Sequence, residues 1–368
     1  MAQQIDVETL RGWLDAQYPV TVVDVRTDED RAQWAIPGSI HLNAYHALRS
    51  GQPGGLSDAA FPADRPIVTV CAAGRMSQTA ADVLADRGFD VRSLTGGMKA
   101  WSLAWNTARV PVKDDGTTII QVRRTGKGCL SYVLLSDGEA AVIDASLPLE
   151  VYEHIARSHS APIRRVIETH IHADHLSRAR QLADRVSAQL LLPQQERVAF
   201  PFTAVQDGDE IAVGTQRLIA RHTPGHTLES MSYVLKDTAV FTGDTLFTNG
   251  VGRPDLHADA AGARNRARAL FGSLQAIRGL GSNVIVLPAH TSEPIAFDGR
   301  PVMSRISDIE EWLGGWLVSE ASFVDRVVSR LPETPPNFGR IVDLNERGEL
   351  PDVDVTELEA GANRCAVS

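Results

Sequence analysis

Cysteine is scarce in this chain of 368 residues, which contains three, namely Cys71, Cys129 and Cys365. They lie far apart and form no Cys-x-x-Cys pair, which argues against a disulfide framework and against a zinc ribbon. Any cysteine chemistry is therefore expected from single thiols in a reducing compartment.

Long hydrophobic runs are also missing, and the first six residues lack the pattern of a secretory signal peptide. We therefore expect no membrane association and a cytoplasmic location. Basic residues are outnumbered, with 36 Lys and Arg against 46 Asp and Glu and a formal net charge of -10. This balance argues against nucleic acid or an anionic membrane as the main partner. The charge balance does not argue against a homo-oligomer.

The composition, with 43% hydrophobic and 22% charged residues, is typical of a soluble globular protein, and the length suffices for two or three domains. We predict a first domain over residues 1–108, a second over 115–304, and a C-terminal extension over 305–368 that packs on the second domain. The boundary between the two domains is placed in residues 105–116, which lose hydrophobic periodicity and end in turn-forming residues.

The densest group of polar side chains comprises His170, His172, Asp174 and His175. It follows the apolar residues 166–167 and precedes a run with helical spacing, which predicts a junction between a strand and a helix. In an extended loop His170 and His172 point the same way, which suits two ligands of one metal ion. Asp174 and His175 can turn to a second site nearby.

Three further candidate ligands, His226, Asp244 and His290, each follow a predicted strand and lie close to Gly or Pro. Seven potential ligands are therefore expected on loops at one edge of a β structure. This order, His-x-His-x-Asp-His followed by Gly-His, Gly-Asp and a last His, resembles the metallo-beta-lactamase fold over residues 117–304. The resemblance implies an αββα sandwich for the second domain.

This fold is used by hydrolases, oxidoreductases and nucleases, so three alternatives stay open. In the first, His170, His226 and Asp244 hold one Fe(II), leaving positions for dioxygen and substrate, while the other four candidates orient ligands and waters. In the second, all seven residues bind two metal ions, with zinc expected, and hydrolyse a thioester as glyoxalase II does. In the third, the protein is a non-catalytic sulfur relay.

The segments around the ligands favour the first alternative because they resemble persulfide dioxygenases. The similar segments are residues 128–132, 224–227, 242–247, 252–255, 331–337 and 362–365. The resemblance implies that His170, His226 and Asp244 hold one iron and that a low-molecular-weight thiol persulfide and dioxygen become sulfite and free thiol. It also implies that Thr227 and Arg253 line the substrate site, where Arg253 neutralises a carboxylate or the developing sulfite.

Near the N-terminus, Cys71 follows the apolar residues 66–70 and precedes a helical pattern over 77–87. A thiol at such a junction faces a helix N-terminus, which stabilises a thiolate or persulfide. Alternating strands and helices of this length predict a small α/β domain whose parallel sheet is flanked by helices.

The first domain resembles the rhodanese domain over most of residues 1–105. The similar segments are residues 24–26, 36–41, 71–77 and 96–101. The resemblance implies that Cys71 carries a sulfane sulfur as a persulfide. The family's loop usually has a basic residue five places after the cysteine, where this chain has Met76, so Arg75 is the expected substitute in substrate binding.

Two departures from persulfide dioxygenases concern the thiol that carries the sulfur. A Tyr and an Arg of that family are replaced here by Ser292 and Trp316. We therefore expect glutathione persulfide to be a poor substrate and expect a sugar-linked thiol to stack on an aromatic residue such as Trp316. The alternative is that Arg300 or Arg305 takes over the carboxylate of glutathione.

Overall fold

The computed structural model describes residues 1–113, 116–352, 354–359 and 363–368. Asp114 and Asp115 of the predicted domain boundary and Ala362 of the predicted tail segment lie outside the described residues. Among the helices in the described ranges, none combines the length and apolar character that crossing a membrane requires.

The first domain is an α/β structure around a five-stranded parallel sheet, ordered β1-β5-β4-β2-β3. Its strands are β1 (Gln3–Ile5), β2 (Thr21–Asp24), β3 (Ile40–His41), β4 (Ile67–Val70) and β5 (Val91–Leu94). Its helices are α1 (Val7–Asp15), α2 (Asp28–Gln33), α3 (Tyr45–Arg49), α4 (Arg75–Asp86) and α5 (Gly97–Trp101). Neighbouring residues Val22 and Val23 belong to separate hydrophobic clusters on the two faces of the sheet, as the two-residue period of a strand requires. The predicted sheet with helices on both faces is confirmed.

A seven-stranded sheet opens the second domain and runs in the order β12-β11-β10-β9-β8-β7-β6. Its strands are β6 (Asn106–Val110), β7 (Thr117–Arg123), β8 (Leu130–Ser136), β9 (Glu139–Ile143), β10 (Ile163–Ile167), β11 (Gln189–Pro193) and β12 (Thr203–Val205). Two helices cover its outer face, α6 (Leu149–Ser158) and α7 (Ala179–Val186). Asp137 and Gly138 both have positive φ angles, 46° and 71°, and close the hairpin between β8 and β9. An Asp-Gly pair between two apolar runs is a sequence signal for such a turn.

The second sheet of this domain has six strands in the order β13-β14-β15-β16-β18-β19, and β17 pairs separately with β20. The remaining strands are β13 (Glu210–Val213), β14 (Gln216–His222), β15 (Met231–Leu235), β16 (Ala239–Gly243), β17 (Val251–Gly252), β18 (Ile285–Pro288), β19 (Ser304–Arg305) and β20 (Ala366–Val367). The remaining helices are α8 (Ala260–Arg278), α9 (Ile306–Trp316), α10 (Glu320–Ser329), α11 (Phe338–Arg347) and α12 (Val355–Glu359).

The two sheets face each other across one hydrophobic core. Tyr132 of β8 lies edge-on to Phe241 of β16, with ring centroids 5.1 Å apart. On the outer face of the six-stranded sheet, Val286 belongs to a cluster with Leu270 of α8 and Phe323 of α10. Helices outside and sheets inside make the αββα sandwich that the motif order predicted.

The domain boundary lies at the start of the predicted range of residues 105–116. Strand β6 pairs antiparallel with β7 from Asn106 to Val110, so it is the edge strand of the seven-stranded sheet. The predicted end of the first domain, at residue 108, therefore falls inside β6 of this sheet. The polar residues of β6, Asn106 and Arg109, weaken its apolar pattern, and only the pairing with β7 assigns it to the second domain.

The C-terminal extension packs on the second domain and also contacts the first. Strand β19 pairs with β18, and β20 pairs with β17. Helix α12 reaches the first domain, where the ammonium of Lys99 lies 3.0 Å from Asp354 and 2.8 Å from Glu357. The extension therefore joins the two domains as well as covering one of them.

Candidate metal centre

The seven candidate ligands meet on the loops that follow β10, β14, β16 and β18. All seven are buried, with between 1% and 5% of their surface exposed, namely His170, His172, Asp174, His175, His226, Asp244 and His290. These loops share one edge of the sandwich because β16 and β18 are parallel neighbours and β10 ends at the same edge of the facing sheet. Burial of so many ionisable groups requires that they pair with one another or hold a metal ion.

Three of these side chains converge on one point. Nε2 of His226 lies 3.5 Å and Nε2 of His170 lies 3.8 Å from the same oxygen, Oδ2 of Asp244. Among the described residues, His170 Nε2 and Asp244 Oδ2 are buried without a hydrogen-bond partner. Such unpaired buried atoms are rare in proteins, and two imidazoles with one carboxylate form a common metal-binding set. The residues therefore fit a metal ion.

Neighbouring groups hold the two imidazoles in the orientation that a metal needs. His226 Nδ1 donates to the carbonyl of Arg253 at 2.8 Å. His170 Nδ1 lies 2.9 Å from the hydroxyl of Thr169, which in turn donates to Asp144 at 3.0 Å. Each bond engages Nδ1, so Nε2 of each ring is the atom that faces Asp244.

His290 uses both of its ring nitrogens to join two carboxylates. Nδ1 lies 2.5 Å from Oδ1 of Asp244, and Nε2 lies 2.7 Å from Oδ2 of Asp174. Burial alone would lower the pKa of His290, but the two carboxylates outweigh it and raise that pKa well above its ordinary value. With a carboxylate at each ring nitrogen, His290 forms a cationic bridge between Asp174 and Asp244 and orients Asp244.

The imidazoles of His170 and His172 lie side by side, with ring centroids 4.2 Å apart, and Nε2 of His172 faces two carboxylates. Its Nε2 lies 3.0 Å from Glu168 and 3.3 Å from Asp144. Burial lowers the pKa of His172, and its hydrogen bonds to Asp144 and Glu168 more than reverse the effect. Glu168 is a buried carboxylate whose contact with His172 only the folded structure shows.

A second group beside the triad includes a cysteine that the motif analysis did not assign to the site. Ligand atoms of Cys129, Asp174, His175 and His290 all lie within 4.8 Å of one another. Burial and Asp174 raise the pKa of Cys129, but His175 and His290 outweigh them and lower it to about 7. Cys365 likewise comes within ligand distance of Asp244 and His290. The sequence offered one signal for placing Cys129 and Cys365 at the site, namely that cysteine is scarce in this chain.

The C-terminal extension holds the motif loop in place. Asn345 of α11 donates to the carbonyls of His172 and His175, at 2.8 Å and 2.9 Å. Glu359 of α12 accepts from the backbone N–H of Leu176 at 2.7 Å. Its other oxygen accepts from Arg124, also at 2.7 Å, and both side chains are fully buried. The motif analysis missed Asn345 and Glu359 because polar residues on helices are usually exposed.

The loop of Cys71 is built largely from its own neighbours. The thiol is buried, accepts from the N–H of Gly74 at 3.2 Å and lies 3.4 Å from the hydroxyl of Ser77. Gly97, with φ of 57°, lies so close that any Cβ would collide with the Cys71 carbonyl. Arg75 is exposed in the first turn of α4, at the rim of the loop.

Comparison with known proteins identifies both domains. A family model described as Metallo-beta-lactamase superfamily matches residues 124–290, and a Rhodanese-like domain model matches residues 6–104. A probable metallo-hydrolase of Burkholderia pseudomallei (strain 1710b) is 30% identical over 223 residues, covering 49% of this chain and 74% of that protein. The chain belongs to the metallo-beta-lactamase superfamily.

Other members of the superfamily are similar over smaller shares. A hydroxyacylglutathione hydrolase of Francisella philomiragia is 29% identical over 161 residues, and the match spans 43% of this chain and 61% of that protein. A metallo-beta-lactamase structure from Staphylococcus aureus has 27% identity and a TM-score of 0.58, covering 64% of this chain and 74% of that one. The structure of ETHE1 from Myxococcus xanthus has 26% identity and a TM-score of 0.53, covering 61% of this chain and 96% of that one.

In this superfamily member a cleft of about 740 Å³ opens beside His226, and Thr227 is among the residues that line it. The guanidinium of Arg253 is placed elsewhere. It is buried, lies 2.8 Å from both oxygens of Asp255, and donates to carbonyls of the C-terminal extension. The expectation that Arg253 binds substrate is therefore at odds with its contacts, and its carbonyl instead orients His226.

The residues expected to select the thiol also lie away from the cleft. Trp316 is buried in the hydrophobic cluster under α9, with ring centroids 5.7 Å from Trp312 and 6.5 Å from Phe323. The expectation that a sugar-linked thiol stacks on Trp316 is therefore wrong. Ser292 is exposed, and Arg305 donates to the carbonyl of Asn283 at 2.9 Å.

Proposed function

We propose that this protein oxidises a low-molecular-weight thiol persulfide with dioxygen at a single iron, and that Cys71 carries sulfane sulfur in the rhodanese-like domain. One persulfide, one dioxygen and one water yield one free thiol and one sulfite. The observation that carries the proposal is the division among the seven residues. His170 and His226 converge on Oδ2 of Asp244, where His170 Nε2 and Asp244 Oδ2 are buried without a partner among the described residues. His290 is instead engaged by carboxylates through both ring nitrogens, and His172 through Nε2.

His170, His226 and Asp244 would hold the iron. These two histidines and one carboxylate would leave other positions on the metal open, and iron held there would supply one-electron chemistry. The residues around it keep each ligand in place: Thr169 holds His170, the Arg253 carbonyl holds His226, and His290 holds Asp244. Such outer contacts orient the ligands and tune the metal.

The cleft supplies the approach to this site. Its wall next to the metal ligand His226 is formed by Thr227, whose hydroxyl is fixed 2.7 Å from Ser230. Ile171 and Ala173 of the motif loop line the same cleft. A persulfide entering here would reach the ligands past these residues and past the charged side chains that also line the cleft.

The Cys71 loop is suited to sulfur transfer. In the proposed step the Cys71 thiolate attacks the outer sulfur of a donor persulfide, the donor's S–S bond breaks, and the donor leaves as a thiolate. The N–H of Gly74, directed at Sγ from 3.2 Å, stabilises negative charge on that sulfur.

A dinuclear thioester hydrolase is the second candidate, and one observation favours it. Cys129, Asp174, His175 and His290 lie within ligand distance of one another beside the triad, and His175 Nε2 is buried without a partner among the described residues. The similarity to hydroxyacylglutathione hydrolases is compatible with this candidate.

Metal content and oxygen uptake of protein purified without added metal or chelator test the two candidates. Persulfide oxidation predicts about one iron per chain and oxygen consumption that matches sulfite formation. Zinc at about two per chain, with thioester hydrolysis and no oxygen uptake, would overturn the proposal.

A further inference from the structure

The cleft beside the metal centre has more acidic than basic side chains. Among the described residues that line it, four carboxylates accompany two guanidinium groups: Glu196, Glu229, Asp343, Glu346, Arg197 and Arg266. A concave site lined by an excess of one charge repels ligands of the same sign. Asp343 also pairs with Arg347, which does not line the cleft, so the net negative charge is smaller than the lining alone gives. The remaining excess of carboxylates disfavours a ligand that brings carboxylates of its own.

Both guanidinium groups are already engaged with groups of the protein. Arg197 donates from Nε to Glu346 at 2.7 Å, and its NH1 lies 3.6 Å from Glu229. Arg266 donates to the carbonyl of Leu256 at 2.7 Å and is attracted to Glu229. A ligand carboxylate would have to compete with these partners for the paired donors that bind carboxylates well.

Glu229 connects this charge pattern to the metal centre. Its side chain is buried, and Oε1 accepts from the backbone N–H of Ile171, directly after the ligand His170, at 3.3 Å. The negative charge of Glu229 therefore belongs to the floor of the cleft and not to its solvent-exposed rim.

We infer that the thiol carrying the sulfur is uncharged or cationic, with hydroxyl, amide or ammonium groups that donate to these carboxylates, and is not a dicarboxylate such as glutathione. This inference rests on the proposed function, because it takes the ligand of the cleft to be the persulfide. The charge of the persulfide itself is common to all carriers and does not affect the comparison. The inference rests on the acidic side chains of the cleft, because Trp316 and Ser292 do not line it.

Glutathione and its diamide form the sharpest pair of probes, because the diamide replaces both carboxylates with uncharged groups of almost the same size. Steady-state oxygen uptake by the iron-loaded, full-length protein is measured with the persulfide of each. We expect kcat/KM to be higher for the diamide by about tenfold or more, chiefly through KM. The difference should shrink as ionic strength rises to about 0.5 M, because salt screens the charges of an open cleft.

Calorimetric binding of the two free thiols gives a readout that does not depend on turnover. Glu346→Gln removes one carboxylate and releases Arg197, so the preference for the diamide should fall several-fold in both measurements. Asp343→Asn is the second cleft variant, should Glu346→Gln fail to fold. Glu320→Gln, an exposed carboxylate on α10, is the matched control and should leave the preference unchanged.

The two hypotheses fail in different ways. Equal or tighter binding of glutathione than of its diamide, or an equal or higher kcat/KM for its persulfide, would overturn the inference. Absence of oxygen uptake with every persulfide would overturn the proposed function. In that case tighter calorimetric binding of the diamide would still support an uncharged ligand for this cleft, and the reverse order would still contradict it.

Discussion

The Cys71 loop and the metal centre are two ways of holding buried reactive atoms at the ends of strands. The sulfur of Cys71 contacts Gly74 and Ser77, three and six residues further along the chain. The metal centre draws on distant residues instead, and Asp174 accepts from Asn363, 189 positions away, at 3.2 Å. One site is local in sequence and the other is assembled by the fold.

The difference follows from the charges that each site buries. A single thiol needs a few N–H and O–H groups, which a short loop with glycine supplies. Several buried carboxylates and imidazoles must all be paired, because an unpaired buried charge is costly. The metal centre therefore needs partners from the segment between β7 and β8, which contains Arg124 and Cys129, and from the motif loop and the C-terminal extension. The Cys71 loop does not need such distant partners.

Loss of a metal ligand should have the largest effect in this comparison. Asp244→Ala removes the only carboxylate of the proposed iron triad, so iron content should fall to background. Oxygen uptake should fall by more than the roughly 10- to 100-fold cost of losing an outer contact. Metal analysis and oxygen uptake measure this, with the exposed Asp237→Ala as control. Full iron content in Asp244→Ala would refute the triad.

Loss of the reactive thiol should be as complete but confined to its own domain. Cys71→Ser should abolish sulfur transfer from a persulfide donor while oxygen uptake with a soluble persulfide stays unchanged. The two assays are run on one preparation. Retained oxygen uptake shows that the second domain is folded when sulfur transfer by the first domain is lost. Loss of oxygen uptake in this variant would mean that sulfur passes through Cys71 before oxidation, and the two sites would then form an obligatory relay.

The bridge between the two carboxylates should matter less than a ligand. His290→Gln keeps a polar side chain but cannot join Asp244 and Asp174 as a cation. We expect iron to be retained and oxygen uptake to fall roughly 10- to 100-fold. Loss of iron equal to that in Asp244→Ala would instead favour the two-metal alternative.

The smallest change is expected in stability, and α12 offers a matched pair. Glu359→Gln leaves the fully buried Arg124 without its carboxylate, which should lower the free energy of unfolding by about 3 kcal/mol. Glu357→Gln breaks an exposed pair with Lys99 on the same helix and should change stability little. Urea denaturation of both variants measures this. Equal effects would show that the buried pair does not fasten the extension.

Local patterns in the sequence predicted the elements that depend on neighbouring residues. Strands β2, β4, β8 and β9, helix α4, the hairpin at Asp137 and Gly138, and the order of the two folds were all readable from the sequence. Side-chain periodicity and turn residues act over a few positions, so a sequence reveals them directly. The candidate ligands were identifiable for the same reason, because each follows an apolar strand.

Only the tertiary structure decided which partner each polar side chain takes. Glu168 pairs with Nε2 of His172, Asp255 pairs with the guanidinium of Arg253, and α12 brings Glu359 to the motif loop. None of these pairings follows from spacing, because a buried charge pairs with whichever opposite charge the packing brings near. The sequence by itself determined the two folds and the candidate ligands, whereas the packing of distant elements determined which side chains face the metal, which stabilise the ligands, and which charges line the cleft.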